Sequence, residues 1–261
     1  MTQVLPLYSD EWSAELYARV MDPRQDDVSF WLSLAERAGG PVLELACGGG
    51  RALLPFARAG HECVGLDLSP YMLRFFERKL ADEPAGVQQR VRLVAGNMAD
   101  LSLDQEFGTI FIANRSFQAV LTRAEQQKCL EACARHLKPG GLLGIDVFNT
   151  DLGRLVQPGG VEESPDELTD TDGTRITVTA HTDYNLLDQS LRSTWRHEFT
   201  DAEGRPQHRD YAINLHYFFR FEFEWMLEAC GFEVEALYGD FERGPFAAES
   251  SEMIFVARKA T

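Results

Sequence analysis

No Cys-x-x-Cys pair occurs among the five cysteines at positions 47, 63, 129, 133 and 230. An odd set without that spacing, mostly in apolar stretches, excludes a disulfide framework and implies a reducing, cytoplasmic setting. A Lys/Arg-rich run is also missing: 25 basic residues face 41 acidic ones, a formal charge of −16. Such a balance repels phosphate backbones, so no nucleic-acid partner is expected, and a neutral or cationic small molecule suits the chain better. There is no stretch of about 18 apolar residues and no charged-then-apolar leader, hence no membrane span or export signal is expected. His-x-His, His-x-x-x-His and clustered acid/histidine spacings are lacking, and no metal site is expected. The absence of Gly-Lys-Ser/Thr removes a phosphate P-loop.

What is present is a glycine turn between two apolar segments. Val42-Leu43-Glu44-Leu45 runs into Ala46-Cys47-Gly48-Gly49-Gly50-Arg51, a helical stretch follows, and a second apolar strand ends at Gly65-Leu66-Asp67. In a parallel α/β sheet a carboxylate so placed lies beside the turn, where it can accept both hydroxyls of a ribose. The glycines let backbone approach a ligand closely. A dinucleotide fingerprint would need Gly or Ala where Leu53 stands, which weighs against an NAD-dependent oxidoreductase as the rival reading.

Four ordered motifs carry a resemblance: E-x-x-C-G-G-G-R at 44–51, Asp67-Leu68-Ser69-Pro70-x-Met72, Gly96-Asn97-Met98-Ala99-Asp100-Leu101, and Leu137-Lys138-Pro139-Gly140-Gly141-Leu142-Leu143. Together, over roughly residues 40 to 148, they resemble the class I S-adenosylmethionine (SAM) dependent methyltransferases. The resemblance implies a Rossmann-like seven-stranded sheet with its last strand antiparallel and SAM as cofactor. It further implies methyl transfer to N or O of a small organic molecule (an amine, a sugar or a natural-product intermediate) with release of S-adenosylhomocysteine. Asp67 then takes the ribose, Glu44 organises the turn and meets the methionine ammonium, and Asn97 keeps an acceptor for the adenine amino group where the family usually has Asp. Met98 lies against the adenine; Tyr8, Tyr17 and Arg51 hold the carboxylate. Ala46, Gly48, Gly50, Leu68, Met72 and Asn114 complete the cofactor side. The competing readings are a dipole-stabilised Asp67, a core Tyr17 and a solvent-facing Arg51. A catalytically silent SAM-binding partner subunit would carry the same motifs.

Along the chain, residues 9–21 and about 27–38 have helical periodicity, and strand and helix patterns then alternate to Phe148, as in a sheet covered on both faces. Residues 151–172, rich in Gly, Pro, Asp and Glu, are expected to form a loop or flap. Three β-rich runs follow (175–184, 190–199, 208–217), then a helix near 222–230 and strands near 232–238 and 252–258. This divides the chain into an N-terminal helical cap (1–40), an α/β core (41–150), an inserted flap and antiparallel β meander (151–221) and a C-terminal completion of the core (222–261), as a monomer or homodimer.

Methyl transfer asks mainly for alignment, plus a base where the nucleophile carries a proton. Asn114-Arg115-Ser116-Phe117-Gln118 follows the fourth core strand but lacks the paired prolines of enzymes acting on nucleobase or glutamine nitrogens. Arg115, Phe117, Gln118, Tyr184, Trp195 and Arg220 are the expected acceptor-side residues. His181, His197 and Tyr217, in the meander that would roof the pocket, are the candidates for catalysis.

Overall fold

The computed structural model describes residues 4–260. In chain order it begins with β1 (Leu5–Pro6), α1 (Glu11–Met21) and α2 (Val28–Ala38). The core follows: β2 (Val42–Leu45), α3 (Leu53–Arg58), β3 (Cys63–Asp67), α4 (Pro70–Ala81), α5 (Ala85–Gln88), β4 (Val91–Ala95), β5 (Phe107–Ile112), α6 (Arg123–His136) and β6 (Leu137–Phe148). After it come α7 (Leu152–Leu155), β7 (Val161–Glu162), β8 (Asp166–Thr169), β9 (Arg175–Asn185), β10 (Ser190–Thr200) and β11 (Pro206–His216). α8 (Arg220–Ala229), β12 (Phe232–Tyr238) and β13 (Glu252–Lys259) close the chain.

One sheet has the strand order β12-β13-β6-β5-β2-β3-β4. Its strands β6, β5, β2, β3 and β4 pair in parallel, while the final strand β13 runs antiparallel to β6 and β12. The expected Rossmann-like, seven-stranded arrangement is therefore present. Every residue of β2, β3 and β5 is buried, because helices cover both faces and no strand position needs to meet water. On one face α6 and α8 contribute Cys129, Leu130, Phe223 and Leu227 to the core; on the other, α2 and α3 contribute Trp31, Leu34, Leu53 and Phe56. The chain leaves β2 towards β3 on one side, whereas β5 joins it on the other. That reversal opens a crevice at the strands' C-terminal ends, the place where such sheets bind ligands.

Helix starts follow side-chain caps. Asp10 caps α1 by accepting the Ser13 N–H at 2.8 Å. Ser69 caps α4, with Pro70 in the first turn where its missing N–H costs nothing.

The second sheet is the meander, ordered β1-β11-β10-β9-β7, with β8 also on β9. β9, β10 and β11 lie where alternation predicts them. Residues 151–172 are not the featureless loop expected: α7, β7 and β8 form there, and the two short strands pair with β9. Segments of two and four residues show no periodicity; the open edge of β9 organises them. β1 was likewise invisible, since it holds only Leu5 and Pro6, which run parallel to Tyr211 and Ala212. This short pairing ties the start of the chain to the meander above the crevice.

Candidate active site

At the end of β2 the backbone turns through Ala46, Gly48 and Gly50 with φ of +58°, +52° and +77°. The Gly48 N–H donates to Asp67 Oδ2 (2.7 Å) and the Ser69 N–H to Asp67 Oδ1 (2.8 Å), so the carboxylate at the end of β3 sits against the turn. Burial raises the Asp67 pKa and these two N–H groups oppose the rise. A Cβ on Gly48 would meet no atom within 4 Å, whereas one on Gly50 would come 2.3 Å from the Phe76 ring. Gly48 thus opens onto the crevice, while Gly50 admits α4.

Glu44 is buried beneath the turn, and its Oε2 has no hydrogen-bond partner. Burial drives its pKa well up, with Arg51 the largest opposing influence. Arg51 faces inward rather than to solvent. Its Nη1 donates to Asp27 Oδ1 (2.5 Å) and to the Arg24 carbonyl (2.7 Å), and its Nη2 to Asp27 Oδ2 (2.6 Å), a bidentate pair that leaves Nε–H and one Nη2–H uncommitted. Asp27 also accepts from Trp31 Nε1 (3.0 Å).

Tyr8 and Tyr17 meet edge to face at 4.6 Å, and Asn114 Nδ2 donates to the Tyr17 hydroxyl at 2.6 Å. Asn114 and Arg115 are consecutive left-handed residues, φ +55° and +62°. Two such conformations in a row are costly without glycine. The Arg115 N–H offsets this by donating to Asp146 Oδ2 (2.8 Å), and its guanidinium pairs with Glu252. Asp146 is buried with Oδ1 unpartnered, and burial lifts its pKa to about 8. On the far side of the turn lie Leu68, Met72, Asn97 and Met98; Asn97 Oδ1 accepts the Ala99 N–H (3.0 Å), leaving its second lone pair and its NH₂ group.

Apart from Gly50, Asp27 and Asp146, the residues of the turn, of the Tyr8–Tyr17 pair and of the Asn97 segment line one cavity of about 870 Å³ that continues up to the meander. On β10, Leu191, Ser193, Trp195 and His197 alternate inward, and Trp195 and His197 line the cavity. His197 is buried between the rings of Trp12 and Tyr211, each 5.5 Å away, and its Nδ1 lacks a partner. Burial lowers its pKa below the ordinary histidine value.

Seven expected residues lie outside this cavity, and one of them is Gly50, which faces the Phe76 ring instead. His181 is opposite Thr194 on the outer face of the meander, held by Glu162 (2.7 Å) and Asp183 (3.1 Å). Tyr217 is buried beyond the strand ends against Tyr184 and Phe219. The Tyr184 hydroxyl accepts from Arg154 Nε (3.0 Å). Phe117 points into the core against Phe218 and Phe223. Gln118 is a buried brace, with Nε2 on the His216 carbonyl (3.0 Å) and Oε1 on the Phe148 N–H (3.1 Å). Arg220 is exposed and pairs with Glu224. Of the expected acceptor-side residues, only Arg115 and Trp195 line the cavity.

Residues 42–141 match the methyltransferase-domain family. The chain is 27% identical over 257 residues to the cypemycin N-terminal methyltransferase of a Streptomyces species, covering 97% of this chain and 98% of that one. The CcbJ methyltransferase of Streptomyces caelestis superposes with a TM-score of 0.79 at 28% identity, over 98% and 99% of the two chains. The glycopeptide N-methyltransferase MtfA in complex with SAM matches with a TM-score of 0.54 at 27% identity, over 89% and 93%. The chain is a class I SAM-dependent methyltransferase. The family's cofactor suits this floor: the methyltransferase holds an unpartnered buried carboxylate oxygen on Glu44 and a carboxylate on Asp67, matched to a ligand with an ammonium and ribose hydroxyls.

Residues that pattern reading missed are Asp27 and Asp146, which hold Arg51 and Arg115, and the apolar roof and wall positions Leu16, Val178, Ile213 and Leu215. The alternation of β9 and β11 was the available signal for the last three. Which parity faced inward was not readable without the register.

Proposed function

We propose that this methyltransferase methylates an amine nitrogen of a small organic acceptor held between the glycine turn and the meander, with His197 as proton acceptor. The observation that carries the reading is His197 itself, a cavity-lining imidazole whose pKa burial lowers below the ordinary histidine value. An amine is largely protonated at that pH and attacks only through its free lone pair, so a site acting on one needs a nearby base. One of the similar proteins is a glycopeptide N-methyltransferase by name and another is an N-terminal methyltransferase, which favours nitrogen over oxygen.

SAM supplies a methyl group already activated on a sulfonium. The chain then has to bind and align. Asp67 would accept the ribose hydroxyls, Glu44 the ammonium, and Asn97 with Leu68, Met72 and Met98 the adenine. Tyr8 and Tyr17 face the methionine end, joined there by the uncommitted donors of Arg51. Asn114 stands at the front edge of β5, and Trp195 excludes water from above. His197 takes the proton of the acceptor ammonium and returns it to solvent.

His197→Gln and His197→Phe should each lower kcat on a small primary amine by about 10²-fold or more, with S-adenosylhomocysteine affinity unchanged within about twofold. The wild-type rate should fall as pH drops through a pKa below the ordinary histidine value, and that acid limb should vanish in His197→Phe. Full turnover in His197→Phe would remove the base assignment.

A further inference from the structure

The substrate class follows from what the roof lacks. Its inner face presents Val178, Trp195, Ile213 and Leu215 to the cavity, and Leu16 and Leu168 face the same space from α1 and β8. The polar atoms of that inner face are largely committed, and Asn214, which reaches the cavity from the other parity of β11, accepts from Arg192 at 3.3 Å. Ser193 Oγ receives both Thr182 Oγ1 (3.1 Å) and Trp195 Nε1 (2.9 Å), so the indole N–H is used as well. The Tyr211 hydroxyl donates to Asp10 Oδ2 (2.9 Å). His197 remains, and it is needed for the proton.

A polyhydroxylated ring placed here would lose water from several hydroxyls and gain few partners, a penalty that an alkyl or aryl group escapes. At the cavity edge, Asp166 on β8 carries a carboxylate with no hydrogen bond or ion pair among the described residues. Asp22, which also lines the cavity, is neutralised by Lys79 at 2.8 Å. An unpaired carboxylate beside an apolar chamber favours a cation with an apolar body.

We infer that the acceptor is an amine carried on an alkyl or aryl body rather than on a sugar ring, drawn in past Asp166 and packed against Trp195, Ile213 and Leu215. The inference rests on the proposed nitrogen transfer for its amine, and on the roof for its body.

The test is calorimetric titration of the S-adenosylhomocysteine-loaded protein with 2-phenylethylamine and with glucosamine, both primary amines. Phenylethylamine should bind at least about tenfold more tightly. Ile213→Asn and Trp195→Gln should each reduce that affinity severalfold while S-adenosylhomocysteine binding stays unchanged. Equal affinities, a preference for glucosamine, or no binding of phenylethylamine would each overturn the inference. Because binding is read without turnover, the two proposals can fail separately. If 2-phenylethanol were methylated and the amine were not, the nitrogen reading would fall while the apolar body stood.

Discussion

Gly48 and Gly50, with Gly49 between them, are both left-handed and do different work. At Gly50 an added Cβ collides with the Phe76 ring in the core, and φ of +77° adds backbone strain. Gly50→Ala should therefore cost the cofactor-free protein about 2–4 kcal/mol, from overpacking together with the left-handed penalty. At Gly48 the space is open, so Gly48→Ala should cost only the strain, about 1 kcal/mol. Its methyl group would project into the crevice and weaken cofactor binding. Urea unfolding of both variants, with S-adenosylhomocysteine titrated into each, checks the contrast; a larger stability loss at Gly48 would reverse the assignment. The same scale explains Asn114 and Arg115. Their strained turn aims Asn114 at Tyr17 and survives because the buried Asp146 accepts the Arg115 N–H.

Among the elements, α1 is the part that joins roof to floor. Downward it is held by Arg78 on Glu11 and Glu15, by Lys79 on Asp22 just beyond its end, and through Tyr17 by Asn114. Upward, Asp170 in the turn after β8 accepts from Trp12 Nε1 (3.0 Å) and Arg19 Nη1 (2.8 Å), and Asp10 accepts from Tyr211. The Asp170 bonds are partly buried and charge-assisted, which places them above an ordinary surface pair. Asp170→Ala should destabilise the docking of α1 by about 1–2 kcal/mol, seen as roughly 5–30-fold faster amide exchange in α1. Exchange in β2 and β5 should not change. Unaltered exchange in α1 would show that the β1–β11 pairing and the α4 contacts hold the helix by themselves.

At the scale of the whole molecule, buried carboxylates set the pH response. Asp146, raised to about 8, and Glu44, raised well above the usual carboxylate range, hold protons more tightly in the folded chain than in the unfolded one. The folded state then binds more protons between the unfolded and folded pKa values, and stability falls as pH rises through that window. Asp170, Asp210 and Glu235 are shifted downward by their arginine partners and by hydrogen bonds, so their contributions are lost at the acid end. The cofactor-free enzyme should accordingly melt lower at pH 9 than at pH 6. Asp146→Asn, which keeps an acceptor for the Arg115 N–H, should recover roughly 5 °C of that loss. An identical pH slope in the variant would show that Asp146 is ionised throughout. No helix among the described residues is long and apolar enough to cross a membrane.

The sequence by itself determined the core sheet and its ligand edge. A strand, a glycine turn, a helix and a carboxylate at the end of the next strand are adjacent along the chain, and local sterics with period-2 or helical patterning suffice to read them. Alternation also determined that β9, β10 and β11 form a meander. Tertiary structure alone decided which residues the cavity receives. His181 and His197 are on neighbouring strands in similar contexts, yet the hairpin register sets His197 opposite Val178, facing in, and His181 opposite Thr194, facing out. A slip of β9 by one residue would bring His181 onto the inner face as well, because side chains alternate with a period of two. Phe117 and Gln118 were lost to the site in the same way: the left-handed pair before them turns the next helical turn into the core. The brace of Asp27 on Arg51 joins residues on separate elements, and no local pattern encodes a contact that exists only once α2 has docked against the sheet.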